Sequence, residues 1–209
     1  MRLFIPQSLF YLFSIQLVLM NQVESPRQLI TQGNTNIYAA SCDVKLARKF
    51  GELQFKIPFG LGILSHRTDG SIFVYNWGKC LITADMSKQQ SVQVKVLRGN
   101  IIANGIENLD IELGRGDIFT EDIEKLVIRL GKGDVYGTLP SNSVNRIDVI
   151  RGNVDVQLEE GNWHHDIRAK RKNLLFQSLE MQQLDGTLTI NSPNGRAKVW
   201  NVSVFASDI

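Results

Sequence analysis

The sequence predicts an all-β fold, a parallel β-solenoid (single-stranded β-helix) of 17–19-residue coils with an irregular C-terminal cap, and three observations predict it. Glycine recurs at Gly99, Gly116, Gly133 and Gly152, at intervals of 17, 17 and 19 residues. Each of these glycines follows a cation (Arg98, Arg115, Lys132, Arg151) and precedes Asn or Asp (Asn100, Asp117, Asp134, Asn153), then Ile or Val. Ahead of each glycine, apolar residues alternate: Val92, Val94, Val96; Leu109, Ile111, Leu113; Leu126, Ile128, Leu130; Ile147, Val149. Alternation of that kind marks a strand with one buried face.

Each element of the repeat has a physical reason. Glycine followed by Asn or Asp suits a sharp turn with positive φ, where a side chain would clash. A second strand then begins at Ile101, Ile118, Val135 or Val154. The interval is too short for a crossover helix, so each coil must stack on the next. Four residues before each glycine stand Lys95, Glu112, Arg129 and Asp148, alternating in sign. In-register stacking would set them about 5 Å apart, where opposite charges attract by about 0.2–1 kcal/mol per pair.

This frame also explains the adhesion tripeptide Arg115-Gly116-Asp117. It is one of four versions of a single position, RGN, RGD, KGD and RGN. Receptor recognition needs a protruding loop, whereas a coil turn presents the residues flat, so the tripeptide reads as structural. Asp117 and Asp134 become neighbours, but two carboxylates are too few for a calcium cage.

Outside the repeat, the chain divides into three further parts. Residues 1–25 read as a signal peptide: Arg2 is followed by an apolar run from Leu3 to Met20, then by the small residues Val23 and Ser25. A retained anchor is the alternative, since the run approaches the spanning length of about 20 residues. Residues 26–90 read as degenerate N-terminal coils, with strand-like "CDVKL", "GELQFKI", "GSIFVYNW" and "CLITA"; regular repeats occupy 91–160. Cys42 and Cys80 lie 38 residues apart, two coil lengths. With one coil between them their Cα atoms would be about 10 Å apart, against the roughly 7 Å limit of a disulfide, which favours buried thiols unless irregular coils bring them closer. Residues 161–209 read as the cap, ending in a hairpin that turns at Asn194-Gly195.

Candidate sites are few. A formal net charge of +2 gives no electrostatic case for nucleic acid. The basic run Arg168, Lys170, Arg171, Lys172 is the candidate ligand-binding cluster, for anionic polysaccharide, lipid headgroups or acidic protein. His164, His165 and Asp166 are consecutive, and consecutive strand residues point to opposite faces. Asn201-Val202-Ser203 is a glycosylation triplet in a eukaryotic secretory route. No nucleophile elbow, phosphate loop or Cys/His ligand cluster is present, so no catalytic residue, metal or cofactor is expected. Asp110, Glu112 and Asp148 resemble the stacked carboxylates of solenoid sugar-cleaving enzymes, but they alternate with cations, which points to charge ladders.

The units "ELGRGDI", "RLGKGDV" and "DVIRGNV" resemble those of an adhesin-like bacterial β-solenoid domain family of unknown function. The resemblance covers residues 91–160 well and 30–90 loosely. It implies an exported, non-enzymatic binding or structural module of the periplasm, outer envelope or medium. Envelope polysaccharide or protein would be its partner, and membrane contact would come only through an uncleaved N-terminus. The Gly-Asp-Ile turns also resemble bactofilin-like β-helices, which implies a self-assembling scaffold as the alternative. Such scaffolds do not normally begin with a signal peptide.

Overall fold

The computed structural model describes residues 27–29, 35–47, 53–56, 62–66, 71–76, 81–85, 91–161, 163–175 and 186–201. The signal-peptide segment, Gly51, Gly70, Cys80 and most of the glycosylation triplet lie outside them. Among the described residues every regular element is a strand. The N-terminal part holds β1 (Arg27–Leu29), β2 (Thr35–Ser41), β3 (Asp43–Ala47), β4 (Leu53–Lys56), β5 (Gly62–His66), β6 (Ser71–Asn76) and β7 (Leu81–Asp85). The repeats follow as long and short pairs. These are β8 (Ser91–Arg98) with β9 (Ile101–Asn104), β10 (Asn108–Arg115) with β11 (Ile118–Glu121), β12 (Lys125–Lys132) with β13 (Val135–Leu139), and β14 (Val144–Arg151) with β15 (Val154–Leu158). Two long strands, β16 (Trp163–Leu175) and β17 (Gly186–Asn201), complete the set.

The long strands stack in parallel with like residues opposite one another, as do the short ones, giving a solenoid-like parallel β fold. One inward column runs Ile37, Val94, Ile111, Ile128, Ile147, Ile190, each fully buried. Burying a side chain of this size contributes about 1.5–3 kcal/mol, so six in register stabilise the stack and fix its register together. The two extra residues between Gly133 and Gly152 fall in the return corner at 140–143. There the Asn145 amide donates to Ser143 Oγ (2.6 Å), and that hydroxyl donates to the Pro140 carbonyl (2.5 Å). The pair lets a buried asparagine stand between Leu126 and Leu188 in its inward column.

Both ends depart from chain order. Sequential stacking is expected of the N-terminal coils, yet β2 lies between β6 and β8, and β3 lies between β7 and β9. β6 and β7 therefore sit outside strands that precede them in the chain, and β1, β4 and β5 join by antiparallel pairing. At the other end β17 inserts between β14/β15 and β16. The physical reason is pattern matching. "TNIYAASCDVKLA" supplies Ile37, Ala39, Val44 and Leu46 at the inward positions of "VQVKVLRGNIIA", and a parallel edge accepts the strand that fits its columns.

Two expectations are corrected. Cys42 is buried and disulfide-bonded, not a thiol. No coil separates β3 from β7: Asp43 pairs with Leu81 and Val44 with Ile82. The chain's other cysteine is Cys80. Asn194-Gly195 does not turn a hairpin either, because β17 runs parallel to its neighbours on both sides of that dipeptide. A Cβ on Gly195 would overlap the Gly152 carbonyl, so the dipeptide occupies the coil corner. Hairpin and corner make the same local demand, and the inward pattern Leu188, Ile190, Ala197, Val199 decides for the corner.

Candidate functional site

The repeated corner is where the sequence signals converge. Gly99, Gly116, Gly133 and Gly152 adopt φ between +140° and +146°, a region that disfavours any side chain. A Cβ on each would also overlap a backbone oxygen of the preceding coil, that of Cys42, Gly99, Gly116 or Gly133 respectively. The residue after each glycine then forms a ladder along the stack. Asp43 Oδ1 accepts the Asn100 backbone N–H (2.7 Å), Asn100 Oδ1 that of Asp117 (3.0 Å), and Asp117 Oδ1 that of Asp134 (2.9 Å). Asp134 Oδ1 accepts the Asn153 N–H (2.7 Å), and Asn153 Oδ1 accepts that of Arg196 (3.3 Å). Each side chain thus satisfies an amide that would otherwise be left without a backbone partner at the corner. In the tripeptide Arg115-Gly116-Asp117, the glycine is required by packing and one aspartate oxygen is engaged by the next coil.

The residue before each glycine forms a second column. Arg98, Arg115, Lys132 and Arg151 stand in register and exposed. Among the described residues no ion pair holds any of the four; the ion pairs lie elsewhere. Asp43, Asp117 and Asp134 flank the N-terminal part of the column, so its positive weight falls toward the C-terminal end. There Asn153 and Arg196 replace aspartate.

The predicted basic cluster adjoins that end. Arg168 is held by Asp166 (3.0 Å), while Lys170 and Arg171 line a hollow of about 250 Å³ with Asn153, Asn194 and Arg196. Lys172 is exposed on the same strand. A register shift in β16 between Ala169 and Arg171 brings Arg171 opposite Arg196. The structure therefore joins two residues of the cluster, Lys170 and Arg171, to the coil corner, which sequence reasoning kept apart. Among the described residues no group of three or more His, Cys, Asp or Glu could hold a metal ion.

The outward charge row stacks in the expected register, but its pairing differs in part. Lys95 meets Glu112 at 3.0 Å, whereas Arg129 turns to Asp110 (2.8 Å) and Asp148 takes Arg146 from its own strand (2.9 Å). Sequence reasoning missed the outer face of the short strands, where Phe119 and Tyr136 stack beside Asp155 and Trp200. The available signal was the apolar residue three places after successive glycines, Ile102, Phe119 and Tyr136.

No family model matches the chain, and no curated protein matches it. Two solved structures are similar to it. One is a candidate cell adhesion protein from Clostridium sporogenes, 10% identical over 85% of this chain and 100% of that one, with a TM-score of 0.41. Another is a candidate adhesin from Bacteroides fragilis, 12% identical over 84% of this chain and 96% of that one, with a TM-score of 0.37.

Proposed function

We propose that this protein is an exported, non-enzymatic, adhesin-like β-solenoid, a binding or structural module of the periplasm, outer envelope or medium. The observation that carries the reading is the cationic corner. One cation on each of the four repeat coils, without an ion-pair partner among the described residues, leads into Lys170, Arg171 and Arg196, a surface suited to an anionic polymer of the envelope. Stacked like charges repel, so their recurrence on all four repeat coils is better explained by a ligand than by stability. Export is supported by the predicted signal peptide and by the disulfide at Cys42, which belongs to oxidising compartments. Coils of 17–19 residues form the rod, and residues 161–209 act as its cap. A non-catalytic role is supported by the outward carboxylates Asp110, Glu112 and Asp148, each held by a cation.

Cell fractionation of a C-terminally tagged chain, with mass spectrometry of its N-terminus, tests the setting. A mature chain beginning near residues 22–26 in periplasm, outer envelope or medium is expected. An intact Met1 in cytoplasmic filaments would contradict export and favour a scaffold.

A further inference from the structure

We propose that the outer face of the short strands is a second binding site, whose ligand is a neutral pyranose unit of a glycan chain. The inference deepens the binding-module reading and rests on it for its setting. Ile102, Phe119 and Tyr136 stand in register on this face, 43%, 42% and 40% exposed. On the long strands one outward row carries ion pairs, and the exposed Leu97 and Ile150 of another are separated by Gly114 and Gly131, so the coil itself does not require an unbroken exposed apolar column. The Phe119 and Tyr136 rings lie 5.1 Å apart and within 14° of parallel.

Beyond Tyr136 the column changes to Asp155 and Lys198. Trp200 Nε1 donates to Asp155 Oδ1 (2.9 Å), and the Lys198 ammonium lies 3.5 Å from Asp155 Oδ2 and 5.3 Å from the indole ring. The indole is therefore held in place before any ligand arrives, which lowers the ordering cost of binding. An open groove of about 430 Å³ runs across the short strands, with Phe119 and Tyr136 along one side and Glu121, Thr138, Gln157 and Trp200 along the other. Its first side is aromatic, and its second is polar and ends at the indole of Trp200.

That composition matches a sugar ring. The C–H face of a pyranose packs on an aromatic ring, and its hydroxyls bridge to carboxylate, amide and hydroxyl groups of the kind Asp155, Gln157 and Thr138 present. A few placed polar groups in a mainly apolar groove are the usual make-up of such sites. Stacked aromatics also suit single-stranded nucleic acid, but there they stand in a positively charged groove. Here Glu121 and Asp155 would face the phosphates.

Native affinity electrophoresis of the mature chain tests the proposal. The gels contain hydroxyethylcellulose, yeast mannan or galactomannan, with polygalacturonate and oligothymidylate as anionic controls. Retardation by at least one neutral polymer is expected, weakened at least tenfold in Trp200→Ala and in Gln157→Leu and retained in Tyr136→Phe. Lys170→Ala with Arg171→Ala should leave that retardation unchanged while reducing retention by polygalacturonate, which separates this site from the cationic corner. Unfolding midpoints are measured in parallel, and Trp200→Phe replaces the alanine variant if the latter does not fold. No retardation by any of the three neutral polymers, retardation by the anionic controls alone, or retardation undiminished in the variants would overturn the proposal. Loss of export with neutral-glycan binding intact would remove only the setting.

Discussion

At Gly116 a single methyl group is excluded twice, by φ of +140° and by the Gly99 carbonyl. Gly116→Ala should lose at least about 2 kcal/mol of stability, read as a lower urea midpoint, because strained backbone alone costs about 1–3 kcal/mol. Arg115→Ala, one residue earlier, removes an exposed cation from a column of like charges, and its midpoint should move by less than about 0.5 kcal/mol. Tyr136 gives a test in the other direction. Partial burial and the nearby Asp134, Asp117 and Asp155 charges raise its phenol above the ordinary 10.0. Its contribution to stability is therefore present below the unfolded value and lost as pH rises through the higher folded one. Ultraviolet-absorbance titration compared with Tyr136→Phe should show Tyr136 titrating late, and Asp134→Asn should bring it down. The glycines and their Asn or Asp neighbours were legible in the sequence because their chemistry is local. The acceptor role of Asp117 was not, since its donor sits 17 residues away on the next coil.

Strands were legible wherever apolar residues alternate, and their register followed from the fixed glycine interval. Pairing across the outer face was less so. Arg129 is long enough to reach Asp110 in the next column, so a row that alternates in sequence resolves into separate pairs. Asp110→Asn should cost no more than about 1 kcal/mol, with the cost shrinking in salt, because both partners are partly exposed. β17 was misread because Asn-Gly looks alike in a hairpin and in a coil corner. Its actual position makes it structurally central. A chain ending at residue 185 leaves β14 and β15 with a bare parallel edge and takes away the partner of β16. Gel filtration should show it aggregated, because an exposed edge of that kind recruits other chains.

Across the whole molecule, chain order and spatial order diverge at both ends, which no local pattern reveals. Cys42 was misjudged for that reason: the assumed intervening coil is absent once β2 and β3 are placed inside β6 and β7. Reduction should lower stability by about 2–4 kcal/mol, visible as a fall in melting temperature with dithiothreitol that Cys42→Ser reproduces. The central claim is that one ladder of side-chain oxygens, from Asp43 to Asn153, ties the coils together and accounts for the adhesion-like tripeptide. Urea unfolding of Asp117→Ala beside Asp117→Asn tests it most directly. The asparagine keeps the acceptor and should match or exceed the parent. The alanine leaves the Asp134 N–H unpaired and should lose about 1–2 kcal/mol. Equal midpoints for both variants and the parent, with host-cell attachment lost in the alanine variant, would contradict the structural account and return the tripeptide to adhesion.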